Sequence, residues 1–333
     1  MTIYDIAELA GVSIATVSRV VNGSPMVSER TKAKVLAVME EHHYTPNVFA
    51  QALCHNSMRT VGLVCPDISD AYMAKAVACL ESNLREQGYD CILYCSGHTP
   101  QGRQEAVRSI LDRRIDALVV IGSVYSQRTK DGDDADYLRQ AAEKVPVFPM
   151  NAYVQHENIY CTLCDDTDAA HRAVGELIAS GRRRILFLSD SHSLSANLKL
   201  QGYRSALHEA GLALEDDLVV YAPNRIADVR DQLLKQAPGF DAVFATDDGL
   251  AVGALKYAKT RGLSVPGDLA VIGYNNFEIS VACEPELTTV DSSVEQLCRQ
   301  ITDHMMQLFR SEPIPHTVYV KGQLVRRATT PPR

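Results

Sequence analysis

Ser13, Ile14, Ala15, Thr16, Ser18 and Arg19 form one short run, with Asn22 just beyond it. Small hydroxyls, two apolar side chains and a guanidinium at the head of a helix could read base edges in a major groove. Arg19 can bond O6 and N7 of guanine. Ile14 and Ala15 can touch thymine methyls but cannot make paired hydrogen bonds. Ser13, Thr16, Ser18 and Asn22 can reach bases or phosphates, or they can cap the helix and face solvent. A second group of polar residues follows expected strands much later in the chain. It comprises Ser69, Asp70, Tyr72, Asn151, Lys199, Asp247 and Asn275, with Asp248 and Asn276 alongside. Ligands of doubly wound sheets sit at strand C-terminal ends. Carboxylates, amides and a cation there suit a polyhydroxylated ligand, because each hydroxyl both donates and accepts. Tyr72 could add a stacking face. A structural role in capping or strand-end bonding competes with binding at each position.

The first group needs two helices meeting at a tight turn. Thr2 can cap a helix over residues 3–10, with Ile3, Ile6, Ala7 and Ala10 on one face. Gly11-Val12-Ser13 makes the turn. Ser13 caps a second helix, whose buried side is Val17, Val20 and Val21. Thr2 and Tyr4 complete the candidate DNA-contacting set. Ser28-Glu29 starts a third helix through about His42, with Val35, Leu36 and Met39 inward. This is a helix-turn-helix pattern. Pro46 can sit in the first turn of a short helix capped by Thr45, and that helix doubles as a linker.

From Thr60 the pattern becomes strand–helix alternation. Strands are predicted at 61–65, 89–95, 117–121, 147–150, 185–188, 242–245 and 269–274. Helices are predicted at 72–87, 102–114, 135–144, 166–180, 200–210 and 248–261. Such alternation makes parallel sheets with helices on both faces. The fold expected is an α/β core of two doubly wound parallel-sheet subdomains, preceded by an all-α headpiece. A last helix (294–310) and strand (316–321) can return to the first subdomain. The divisions expected are 1–45 for the headpiece, 46–59 for the hinge helix and linker, and 60–333 for the core. Within the core, one subdomain takes 60–158 plus 290–318, and the other 159–289 plus 319–333.

Composition narrows the function. The 333 residues carry a net charge of −8, which argues against a protein that coats DNA. Residues 1–60 hold five basic and five acidic residues, so all of that charge lies in the core. Binding by the headpiece must then rest on specific contacts more than on a broad basic surface. No apolar run approaches the roughly 20 residues of a membrane span. Residues 1–30 lack a basic-then-apolar signal segment, which points to the cytoplasm. The nine cysteines then read as reduced thiols. Cys161 and Cys164 form a CxxC on a strand-like run, where a spacing of three sends them to opposite faces. No metal site is expected. Nor is a cofactor: the core has no GxGxxG after a strand, no P-loop and no GxSxG elbow, so an enzyme is not expected.

Taken together, the chain resembles the LacI/GalR family of bacterial transcriptional regulators over nearly its whole length. The matching residues are Val12-Ser13-Ile-Ala-Thr16-Val17-Ser18-Arg19, Asn22-Gly23, Val27-Ser28, Tyr44-x-Pro46-Asn47 and Ala50-x-x-Leu53. Gly62-Leu-Val, Gly273-Tyr274 and Leu324-Val-x-Arg327 follow in the core. The resemblance implies a homodimer on a pseudopalindromic operator, most simply a repressor of carbohydrate-utilisation genes. It implies that Leu53 wedges into the minor groove, supported by Asn47 and Ala50. It also implies a small effector, a sugar or derivative, between the core subdomains. No membrane partner is implied. Four positions depart from the family pattern: Lys199 for Arg, Asn275 for Asp, Asp247 for Asn and Asn151 for Asp. These leave a sugar phosphate or another metabolite as the alternative effector, with corepressor or global action as the alternative mode. The residues after Arg327 carry no heptad repeat, so a dimer is expected rather than a four-chain assembly.

Overall fold

The computed structural model describes residues 1–21, 26–44, 57–126, 128–129, 132–236 and 239–332. The chain divides into two compact units, Met1–Thr60 and Val61–Arg333.

The first unit has three described helices, α1 (Ile3–Leu9), α2 (Ile14–Val21) and α3 (Glu29–Glu41). Thr2 and Asp5 close a reciprocal capping box at the start of α1, with the Thr2 amide donating to Asp5 at 2.7 Å. Gly11 makes the turn at φ +58°, a conformation that costs glycine little. Ser13 Oγ then accepts from the Thr16 amide at 3.2 Å and starts α2. Ile6, Ala7, Ala10, Val17, Val20 and Val35 form the core. Leu36 departs from expectation, being exposed. Val35, Val38 and Met39 already fill the inward stripe of α3, and Leu36 lies a further 100° round the helix. The expected hinge helix from Pro46, with Asn47, Ala50 and Leu53, lies outside the described residues, as does Asn22.

The second unit runs β1 (Thr60–Cys65), α4 (Ala71–Glu86), β2 (Asp90–Cys95), α5 (Pro100–Leu111) and β3 (Ala117–Ile121). A short ladder, β4 (Arg128–Thr129) with β5 (Gly132–Asp133), precedes α6 (Asp136–Ala142), β6 (Val147–Met150) and β7 (Cys161–Cys164). There follow α7 (Asp166–Ala179), β8 (Ile185–Ser189), α8 (Leu194–Glu209), β9 (Val219–Tyr221), α9 (Ile226–Gln236) and β10 (Ala242–Ala245). The chain continues through α10 (Asp248–Arg261), β11 (Ala270–Tyr274), α11 (Ile279–Ala282) and β12 (Thr288–Asp291). It closes with α12 (Val294–Phe309), β13 (Thr317–Val320) and β14 (Gln323–Val325).

Two six-stranded sheets result, ordered β13-β7-β6-β3-β1-β2 and β14-β12-β11-β10-β8-β9. The recorded pairings in both are parallel, except that β14 runs antiparallel to β12. Helices cover both faces of each sheet, so central strands such as β3 and β8 are buried throughout. Phe187, Tyr203, Phe244 and Tyr274 anchor one face of the second sheet. Burial of such a side chain contributes about 1.5–3 kcal/mol. Cys161 and Cys164 pack into different core clusters on opposite faces of the first sheet.

The chain passes between the sheets three times, and the passages differ from those expected. Strand β7 pairs in the first sheet, so the first passage falls after Cys164 rather than after residue 158. Strand β12 belongs wholly to the second sheet and β13 wholly to the first. The other passages therefore lie at Ser292-Ser293 and Lys321-Gly322. The three are tied together: the Asp165 amide donates to the Val320 carbonyl at 2.8 Å, and Ser293 Oγ to the Lys321 carbonyl at 3.2 Å. Among the described residues, no helix is long and apolar enough to cross a membrane.

Candidate functional site

In the first unit, α2 separates its faces. Val17 and Val20 are buried, while Ser13, Ile14, Ala15 and Arg19 are exposed and Thr16 and Ser18 are half-buried. Ser13 and Thr16 share a hydroxyl contact of 2.9 Å as part of the cap, so their first role is local. Thr2 is likewise occupied in its capping box, whereas Tyr4 stands free of the core at 66% exposure. A helix end that offers Ile14, Ala15 and Arg19 to solvent offers methyl contacts and one paired hydrogen-bond donor.

In the second unit, a cleft of about 150 Å³ lies at the C-terminal ends of strands from both sheets. It brings together Asp70, Tyr72, Asn151, Lys199, Asp247 and Asn275, all six expected from sequence. Ser69 is not among them. It is exposed, and its amide donates to Asp67 Oδ1 at 2.9 Å in a loop turn. Lys199 is also placed differently from expectation. It lies in the second turn of α8 rather than at its start, because Ser193 caps the helix earlier.

Each wall is built from backbone constraints. Asn151 takes φ +58°, which asparagine tolerates better than most residues. Its Oδ1 accepts from the Cys164 amide at 2.8 Å and its Nδ2 donates to Tyr72 Oη at 2.6 Å. The Tyr72 proton is thereby left for another acceptor. On the other wall, Asp247 caps α10. Its Oδ1 accepts from the Gly249 amide at 2.7 Å and from Asn224 Nδ2 at 3.0 Å. Its Oδ2 accepts from Asn275 Nδ2 at 3.1 Å. Asp247 and Asn275, two of the positions expected to depart from the family pattern, thus bond each other. Lys199 is only 6% exposed. Its Nζ donates to the Thr246 carbonyl at 3.2 Å and lies 3.8 Å from the centre of the Tyr274 ring. The Tyr274 hydroxyl donates to Asp166 Oδ1 at 2.6 Å, and burial pushes its own ionisation far above the usual range.

Sequence reasoning missed Asp166, Asp190, Asn224 and Ser292 in this cleft. Asp190 directly follows β8, so the strand-end rule that found Asp247 also applies to it. Asn224 follows β9, a three-residue strand too short to stand out.

Asp248, the residue after Asp247, is fully buried. It accepts from Thr289 Oγ1 at 2.5 Å and from the Phe277 amide at 2.8 Å. Burial pushes its carboxyl up to about 7, against the lowering effect of those two donors, and nearby Asp247 adds to the rise. The folded chain therefore keeps a proton that the unfolded chain releases near pH 4. The associated stability is complete below that value and is lost as pH rises through about 7. Asp248→Asn keeps the acceptor for the Phe277 amide and removes the titration. Urea unfolding from pH 5 to 8 should show a steeper loss of stability in the wild type than in the variant; parallel profiles would contradict this assignment.

Comparison with known proteins bears on both units. Residues 2–47 match the family of bacterial regulatory proteins of the lacI type. Residues 58–321 match the periplasmic binding proteins and sugar binding domain of the LacI family. The chain is 44% identical to an HTH-type transcriptional regulator of Lachnoclostridium phytofermentans, over 99% of both chains. It is 34% identical to the HTH-type transcriptional regulator GalR of Escherichia coli, over 98% of this chain and 94% of that protein. Among solved structures, the lac repressor dimer bound to operator and the anti-inducer ONPF superimposes with a TM-score of 0.86. That match has 26% identity over 99% of both chains. With a matching headpiece, a matching core and full-length relatives in the same order, the chain belongs to the LacI family of bacterial regulatory proteins.

Proposed function

We propose that the chain is a metabolite-controlled repressor of carbohydrate-utilisation genes, acting in the cytoplasm as a homodimer on a pseudopalindromic operator. One observation carries this reading. A single chain pairs a helix that exposes Ile14, Ala15 and Arg19 with a polar cleft set between two parallel sheets. The first can read DNA and the second can take a small polyhydroxylated molecule. The dimeric operator complex of the lac repressor supports the arrangement of two headpieces on one site. The chain works by binding and not by turnover. Asn47, Ala50 and Leu53 are proposed to carry the minor-groove contact, alongside Thr2, Tyr4, Ser13, Thr16, Ser18, Arg19 and Asn22 in the headpiece.

The effector is proposed to contact Asp70, Tyr72, Asn151, Lys199, Asp247 and Asn275. Its action follows from linkage: an effector that favours one cleft arrangement changes operator affinity, and operator changes effector affinity by the same factor. The test is a thermal-shift screen of sugars, sugar phosphates and nucleobases, followed by operator binding with each hit. A ligand that stabilises the chain and shifts operator affinity is expected; the absence of any such ligand would remove the effector half of the reading. Lys199→Met should weaken the hit by about 10- to 100-fold, the worth of a charge-assisted hydrogen bond, with unliganded operator affinity unchanged.

A further inference from the structure

The lining of the cleft is predominantly negative. Asp70, Asp166, Asp190 and Asp247 line it, against Lys199 as the one cation among its described lining residues. Lys199 is engaged by the Thr246 carbonyl and the Tyr274 ring and forms no salt bridge among the described residues. The four carboxylates are not equivalent. Asp70 and Asp247 each cap a helix, so backbone amides take up part of their charge. Asp166 is covered by the hydroxyls of Tyr274 and Ser195. Asp190 caps no helix, since Ser193 has that role at α8, and it is exposed. Asp70 and Asp190 are both held above the usual carboxylate range, first by partial loss of water and then by the negative charge of Asp247.

A separate feature of the same cleft asks for a polar ligand. Ser292 is 2% exposed and lines the cleft, yet its Oγ has no hydrogen-bond partner among the described residues. A buried hydroxyl left this way is costly, and a ligand hydroxyl would satisfy it. The carboxylates are spread around the walls. No three His, Cys, Asp or Glu side chains among the described residues come together as metal ligands would. The balancing positive charge is therefore better carried by an organic cation than by a metal ion.

We propose that the effector is an amino sugar, its protonated amine seated on Asp190 within the field of Asp70 and Asp247, and one ring hydroxyl reaching Ser292. This rests on the reading of the cleft as the effector site and names the chemical class that site selects. The same field opposes a phosphorylated sugar, whose charge has the wrong sign.

Titration calorimetry on the full chain tests this with D-galactosamine, D-glucosamine, their parent hexoses, their N-acetyl forms and glucose 6-phosphate. The expected result is that one amine binds at least about tenfold tighter than both its parent and its N-acetyl form, as a charge-assisted contact predicts. Asp190→Asn should then close that gap by weakening the amine much more than the parent hexose. A parent hexose or the phosphate binding as tightly as the amine would overturn the proposal and leave the cleft as an effector site. A gap that survives Asp190→Asn would overturn the seat assigned to Asp190. If none of these sugars binds, the proposal falls, while the reading of the cleft as an effector site stands or falls with the wider thermal-shift screen.

Discussion

Gly202→Ala is expected to destabilise the core by about 2–3 kcal/mol, the upper part of the range for overpacking a tight interior contact. Helices α7 and α8 lie side by side on one face of the second sheet, and Gly202 sits where they touch. A Cβ there would meet the Thr167 carbonyl oxygen and come within 2.9 Å of both the Ala170 Cβ and the His171 amide. Two of these are backbone atoms of α7, so no side-chain rotation relieves the contact. The helices must separate or one must shift along the other. Lys199 lies on α8 one turn before Gly202, so the same displacement should also weaken effector binding. Calorimetric unfolding should show a midpoint roughly 5–10 °C lower for a domain of this size. An unchanged midpoint would mean that α7 and α8 have room that the packing denies.

Arg19→Ala is expected to weaken specific operator binding by about 1–3 kcal/mol and to relax discrimination at one base position. Arg19 is exposed on α2, on the side opposite Val17 and Val20. Two different contacts are open to it, and salt separates them. If Arg19 reads guanine, affinity falls while the slope of log affinity against log salt stays nearly constant. If it holds a phosphate, the slope falls by about one and discrimination is retained. Titrating the operator, and variants changed at single positions, over a range of salt distinguishes the two. Unchanged affinity for all sites would remove Arg19 from the interface.

Most of the architecture could be read from residue patterns because local and tertiary preferences agree. The runs that became β3, β6, β10 and α10 have the expected ends, since continuous apolar runs and a clear cap leave little choice. The elements that escaped notice are those whose existence depends on a neighbour. Strand β9 has three residues and is a strand because β8 pairs with it, and β14 exists through its antiparallel pairing with β12. Helix α9 follows Pro223 and an irregular segment, so its start carried little signal. The same distinction holds in the cleft. Asp247 and Asn275 follow obvious strands, whereas Asn224 follows one that was not visible. Ser292 is informative only because no described residue pairs with its buried hydroxyl. Ser69 shows the reverse case: a polar residue near a strand end, claimed instead by its own loop.

The three passages between the sheets carry a mechanical consequence. One ribbon joining two lobes would let them bend, twist and slide independently. Three ribbons, bonded to one another at Asp165 with Val320 and at Ser293 with Lys321, suppress twist and sliding and leave bending about their common line. Whatever enters the cleft can then report itself through a single coordinate, the opening angle. Chemically unrelated ligands would fall on one scale of that angle. A corepressor and an inducer would differ in where they hold it and not in the path by which the signal leaves.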